Sequence, residues 1–326
     1  MSEDKPHCYR EVGYLEFLSC FAYHIGLTPC KELKKENFSV GKSYVLFGWF
    51  VIVLNVVGSC SSLAGRVIFV YANLPTTVVL VDGLSLVMLM ISNVMVVYNV
   101  SVRYSHRISD FLRTISLLDK RTAVKAEWAK NKVRKCYLEL SFGHVFVVLF
   151  YMYDAYFWTT NLGWTSFVNY IFRSFQNYFC FIEVLVVRNY VLLLKYRFEN
   201  LNQMISEHLS KMCRVLNTCS SLKASSYGSP GVHHFAKMYT LLSDEVAVIN
   251  KVFGYPMLFV SLHFLCELLH SLIFCIVFFF SKTSNLDGIQ FGVDLLMLCS
   301  FWTIKDFVSI LPKYSVVLGS LILICI

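Results

Sequence analysis

Residues 44–65 read YVLFGWFVIVLNVVGSCSSLAG, and a short connection later residues 77–98 read TVVLVDGLSLVMLMISNVMVVY. The first stretch holds no charged side chain and the second only Asp82. A helix needs about 20 mostly apolar residues to cross the hydrocarbon core, so each stretch predicts one membrane span. Working outward, the same criterion predicts four more. They cover 136–158, 165–187 (continuing as helix toward Tyr196), 255–280 with its terminal run IFCIVFFF, and 289–311. The predicted fold is all-α: a polytopic transmembrane helix bundle of six spans.

Composition supports this reading. Of 326 residues, 56% are hydrophobic and only 15% charged, with Phe at 28 positions. A soluble fold needs more charge than that to keep its surface wetted, and a disordered chain needs far fewer apolar residues. The 12 cysteines form no CxxC pair, and Cys60, Cys180, Cys266, Cys275 and Cys299 lie inside apolar runs. They read as small buried hydrophobes rather than a disulfide framework. No cleavable signal peptide is visible, because 1–14 is polar and 15–30 is interrupted by Glu16, His24 and Pro29.

The chain therefore divides into a cytoplasmic arm over 1–43, a transmembrane bundle over 44–311 with cytoplasmic helices at 101–135 and 196–253, and a tail over 312–326. That tail is apolar but short, either interfacial or the beginning of a truncated seventh helix.

Direction follows from Lys and Arg. The arm holds six, 101–135 holds ten, 188–251 holds eight, and Lys305 and Lys313 close the chain, whereas the opposite loops hold only Arg66 and Lys282. The positive-inside rule then predicts cytoplasmic N- and C-termini. The sequons Asn37-Phe38-Ser39 and Asn99-Val100-Ser101 fall on that same side or its edge, and the external loops have none. The ten basic residues of 101–135 suit a cytoplasmic membrane-edge surface in contact with lipid headgroups, and no nucleic-acid role is expected of them.

Mass outside the bilayer is concentrated in the cytoplasm. Residues 108–118 (ISDFLRTISLL) carry apolar positions at helical spacing, as do 192–209. After the break SSLKASSYGSPG (220–231), Met238, Leu241, Leu242, Val246, Ile249 and Val252 form a stripe. An apolar stripe outside lipid must be covered, either by a helical plug within one subunit or by a neighbouring subunit.

Ionisable residues within spans are expensive and mark candidate sites. They are Asp82, Glu139, His144, Asp154, Arg173, Glu183, His263, Glu267, His270 and Asp294. In the predicted direction Asp154, Arg173, His270 and Asp294 lie in the outer half. Tyr151, Tyr153, Tyr156, Phe157 and Trp158 accompany Asp154. An outward-opening cavity with aromatic walls and a few fixed charges suits a small amphipathic ligand. The plainer alternative is an aromatic belt plus an Asp154–Arg173 pair that holds helices together. The candidate ligand-binding residues are Tyr153, Asp154, Phe157, Trp158, Arg173, His270 and Asp294.

His263, Glu267 and His270 share one helix face at i, i+4 and i+7. Without HExxH or an evident fourth ligand they read as an inward polar stripe rather than a metal site. GxSxG, Walker A and GxGxxG arrangements are absent, so neither an enzyme nor a cofactor is expected. No internal repeat suggests a transporter. A cytoplasmic N-terminus is contrary to a heterotrimeric-G-protein-coupled receptor.

Three further segments carry a resemblance. Tyr190–Asn202 (YVLLLKYRFENLN) resembles the arginine-phenylalanine and leucine-asparagine pattern that follows the fourth helix of insect gustatory receptors. His234–Phe259 (HFAKMYTLLSDEVAVINKVFGYPMLF) is similar to the helix entering that family's fifth span, with Leu242/Asp244, Ile249/Asn250 and Phe253/Gly254 at its steps. His24–Pro29 (HIGLTP) is like its glycine-leucine-x-proline element. The related insect odorant receptors are the nearest alternative.

The resemblance implies an inverted seven-helix subunit in the plasma membrane. It further implies assembly as a homo- or hetero-tetramer with chemoreceptor subunits into a ligand-gated cation channel, opened by a small tastant. That family's last helix carries a threonine-tyrosine pair and then glutamine-phenylalanine. Neither the pair nor that helix is found before Ile326, so a truncated, non-conducting accessory subunit is the other expectation.

Overall fold

The computed structural model describes residues 13–29, 41–69, 71, 76–122, 138, 141–149, 151–153, 155–156, 159–160, 163–218 and 230–280. Their regular structure is helical: α1 (Gly13–His24), α2 (Lys42–Phe69), α3 (Thr76–Val97), α4 (Ser105–Thr122), α5 (Ser141–Tyr153), α6 (Trp164–Thr218) and α7 (Pro230–Phe280). A π-helical turn, Tyr98–Arg103, joins α3 to α4. Among the described residues four helices are long and apolar enough to cross a membrane, and α5 is a shorter apolar helix. The helices α2, α3, α5, α6 and α7 fall on five of the six sequence windows. The sixth window (289–311) and the tail (312–326) lie outside the described residues.

The way α2 packs is that of a helix in lipid. Its buried face runs Gly48, Ile52, Asn55, Ser59, Ser62, Arg66, in alternating steps of four and three residues. Leu46, Phe50, Val53 and Val57 point outward and are exposed. Polar and small residues inside with apolar residues outside reverses the soluble pattern, because only the interior offers hydrogen-bond partners. The same stepping continues in α3 through Val78, Asp82, Ser85, Leu89, Ser92 and Val96.

Small residues set the distance between α2 and α6. A Cβ added at Gly58 would run into the Phe172 ring, and one at Gly65 into the Asn169 side chain. Between them Ser62 Oγ donates to the Asn169 carbonyl at 2.6 Å. Deeper in, Gln176 Nε2 donates to Ser59 Oγ, and Asn93 Nδ2 donates to the Gln176 carbonyl at 3.3 Å, so α2, α6 and α3 share one polar seam.

Pro256 lies inside α7 and has no N–H, which leaves the carbonyl of Val252 without its helical donor. Asn99 Nδ2, presented by the π-helical turn, donates to that carbonyl at 2.8 Å. Ser92 Oγ donates to the Pro256 carbonyl at 3.0 Å. The helix consequently runs unbroken through the proline, joining the cytoplasmic helical segment expected up to 253 to the span expected at 255–280.

At the α4 end of the bundle, Ile108, Phe111 and Ile115 pack with Tyr190 and Leu194 of α6 and with Met238, Leu242, Val246 and Ile249 of α7. The α7 stripe expected to need a cover is therefore buried within this chain. Leu241, placed on that stripe from the sequence, is exposed instead.

Candidate functional site

At the opposite end, where α2 and α7 finish and α3 and α6 begin, one charged side chain from each of the four long helices meets the others. Arg66 closes the polar face of α2 and is fully buried. Its Nη1 donates at 2.9 Å to Asp82 Oδ2 of α3, an oxygen that also accepts from the Tyr71 hydroxyl. Asp82 Oδ1 is paired with Arg173 Nη1 of α6, and Arg173 Nη2 is paired with Glu267 Oε1 of α7. Ser85, one turn after Asp82, donates to that Glu267 oxygen, and its Oγ lies 3.0 Å from His263 Nδ1.

Signs alternate along this chain: arginine, aspartate, arginine, glutamate. Two positive and two negative groups cancel, which makes the burial of Arg66, Asp82 and Arg173 beside the partly buried Glu267 tolerable, since an unpaired ion there would carry a penalty of several kcal/mol. Burial, reinforced by the neighbouring Asp82 carboxylate, pushes the pKa of the Tyr71 hydroxyl up and keeps it a donor. The Arg66 guanidinium also lies over the Tyr170 ring, 4.0 Å from its centroid.

Beside this network is a cleft of about 380 Å³ between α5 and α6. From α6 it takes Phe167, Tyr170, Ile171, Ser174, Phe175 and Tyr178, one helical face by its steps of three and four. From α5 it takes Val148, Tyr151 and Met152, and from just beyond it Ala155. Tyr170 belongs to both features: it lines the cleft and carries Arg66 on its ring. The cleft can hold an apolar body, with polar chemistry available through Tyr170 and Ser174.

The sequence candidates distribute as follows. Arg173 is buried at the centre of the network, tied to Asp82 and Glu267. His270 is partly buried on α7, three residues beyond Glu267. Tyr153 is partly buried on α5, next to the cleft-lining Met152. Asp154, Phe157, Trp158 and Asp294 lie outside the described residues, and the proposed Asp154–Arg173 pair with them. Among the described residues no group of three His, Cys, Asp or Glu is placed to hold a metal ion.

Sequence reasoning missed Arg66, Asp82, Glu267 and Tyr170 as members of one constellation. The sequence windows place Arg66 in an external loop, but α2 runs on to Phe69 and carries it on its buried face. The stepping from Asn55 through Ser59 and Ser62 to Arg66 was the available signal. Residues 15–323 match the profile of a family described as 7tm Chemosensory receptor. No curated protein matches the chain.

Proposed function

The chain belongs to the 7tm chemosensory receptor family, a family of receptors rather than enzymes, and on that premise we propose that it is a gustatory receptor subunit whose small-molecule ligand sits in the α5–α6 cleft. The observation that carries the proposal is the adjacency of an aromatic cleft to a buried charge network joining four long helices. A ligand against α5 and α6 touches the same Tyr170 on which Arg66 of α2 rests. It thereby biases helices it does not itself contact, provided its affinity differs between the resting and active arrangements.

In this reading the N-terminus is cytoplasmic, the cleft faces outward, and the subunit works in the plasma membrane within a tetrameric cation channel. The exposed apolar face of α2 contacts lipid. Arg173 and His270 act from the network side. Tyr153, Asp154, Phe157, Trp158 and Asp294 extend the ligand site outward, as the sequence suggests. The gustatory assignment rests on the segments at 190–202 and 234–259. The nearly all-apolar lining of the cleft favours a second reading, an odorant receptor with a more hydrophobic ligand. A non-conducting accessory subunit is the third.

The test is expression with and without a second family member, followed by calcium imaging over paired panels of sugars, bitter compounds and volatile odorants. Ala155→Trp and Ser174→Trp, which fill the cleft, are expected to abolish the evoked signal while surface expression is retained. An unchanged dose–response in both variants contradicts the cleft assignment. Response to volatiles alone replaces the gustatory reading by the odorant one.

A further inference from the structure

Arg66 is the most deeply buried cation among the described residues of the network, yet only one of its three guanidinium nitrogens has a hydrogen-bond partner. Nη1 is held by Asp82, while Nε and Nη2 have none. Buried polar groups are nearly always satisfied, so two adjacent free donors on one guanidinium edge call for an acceptor. The face of the Tyr170 ring, whose centroid lies 4.0 Å from the guanidinium carbon, is no substitute for a pair of oxygen acceptors on that edge. The edge made by Nε and Nη2 is also the side of arginine that receives paired oxygen acceptors.

Position says where the acceptor comes from. Tyr170 is a wall of the α5–α6 cleft, and Arg66 lies directly on its ring. The free edge is thus one aromatic side chain away from the cleft. Charge says what kind of acceptor it is. Arg66, Asp82, Arg173 and Glu267 already cancel. A carboxylate would bring an uncompensated charge into a dry site, whereas a carbonyl or hydroxyl oxygen would not.

We propose that Arg66 is a specificity residue: the ligand in the cleft is an apolar molecule bearing an uncharged oxygen, which displaces the Tyr170 ring and accepts from Nε and Nη2. This rests on the cleft assignment made above and adds the class of compound it selects. Tyr170 then senses occupancy, since its ring stands between the cleft and Arg66 and is pushed aside when the oxygen reaches that edge. Removing the ring from the guanidinium alters the contact between α2 and α6, which is otherwise made at Gly58, Ser62 and Gly65.

Three probes with one skeleton separate the possibilities: acetophenone (carbonyl), ethylbenzene (no acceptor) and benzoate (charged). Their binding to the purified full-length chain in lipid nanodiscs is read as a rise in Tm with ligand concentration. Acetophenone is expected to bind roughly tenfold or more tightly than ethylbenzene, the worth of a hydrogen bond to a charged donor, and benzoate to bind no better than ethylbenzene. Arg66→Lys keeps a cation for Asp82 but lacks the paired edge, and Arg66→Met removes the donors altogether. In either variant acetophenone is expected to fall to the ethylbenzene level, with ethylbenzene itself unchanged. If Arg66→Met does not fold, Arg66→Lys decides.

Equal binding of acetophenone and ethylbenzene, lost in Ala155→Trp, overturns the role of Arg66 while leaving the cleft intact; the free donors then hold water. A preference for acetophenone that survives Arg66→Lys overturns it too, as does tighter binding of benzoate. Binding of none of the three overturns it, and the cleft is then judged by the ligand panel.

Discussion

Asn99 and Val252 are separated by 153 positions, yet the Asn99 amide donates at 2.8 Å to the Val252 carbonyl, the one carbonyl in α7 that Pro256 deprives of its helical donor. The π-helical turn makes this possible. It shifts the backbone register at the end of α3, with Tyr104 N–H donating to the Asn99 carbonyl at 2.7 Å, and holds Asn99 against α7. A proline within a long helix is thus compensated by a side chain from the turn that ends α3, which couples that end of α3 to the middle of α7.

Asn99→Leu, close in size but without a donor, is expected to destabilise the chain by about 1–3 kcal/mol, because a buried carbonyl is left unsatisfied. In a Pro256→Ala background position 256 regains an N–H for that carbonyl, and the same substitution is expected to cost less. Chemical unfolding of the four variants in detergent gives the coupling. Equal costs in both backgrounds would mean that the bond does not compensate the proline.

Asp82 is shared by two arginines. Asp82→Leu leaves Arg66 and Arg173 facing each other across a dry site, and a loss of about 3–5 kcal/mol is expected. The double variant Arg66→Met/Asp82→Leu keeps the Arg173–Glu267 pair and removes one charge of each sign. It is expected to recover part of the loss, read as a higher Tm than that of Asp82→Leu alone. A double variant less stable than the single one would show that the two residues do not act as a pair.

The glycines of α2 differ sharply from that of α3. Gly58→Ala and Gly65→Ala force a methyl against Phe172 and Asn169, with an expected loss of about 1–3 kcal/mol each. Gly83 has nothing within 4 Å of an added Cβ, so Gly83→Ala is expected to be neutral or stabilising by up to about 1 kcal/mol. Thermal unfolding of the three variants checks the contrast.

These particulars show how far the residues alone reach. The apolar runs at 44–65 and 77–98 announce α2 and α3 because lipid requires such runs, and Arg173 and His270 stand out as ionisable residues inside the runs at 165–187 and 255–280. Helix ends were less legible. An apolar run ends at its last apolar residue, but a helix in lipid continues wherever its own backbone bonds are satisfied, so the run ending at Gly65 does not reveal that Arg66 is helical. The polar steps at Asn55, Ser59, Ser62 and Arg66 were visible but averaged away by hydropathy. Which face of α6 meets α2 and which lines the cleft depended on packing, and for that reason Tyr170 and Glu267 could not be joined to Arg66 and Arg173 from spacing alone. The Asn99–Val252 bond lay further still from view, since nothing local in either segment names the other.

If the ligand cleft between α5 and α6 faces outward as proposed, its lining is reachable from outside the cell. Cysteine accessibility at Ser174 tests it most directly. In intact cells Ser174→Cys, which lines the cleft, is expected to react with a membrane-impermeant thiol reagent above the wild-type background, more slowly when an activating ligand is present. Leu209→Cys, exposed on the distal half of α6, is expected to gain labelling only after permeabilisation. Labelling of Leu209→Cys from outside, with Ser174→Cys reached only in permeabilised cells, would contradict the account.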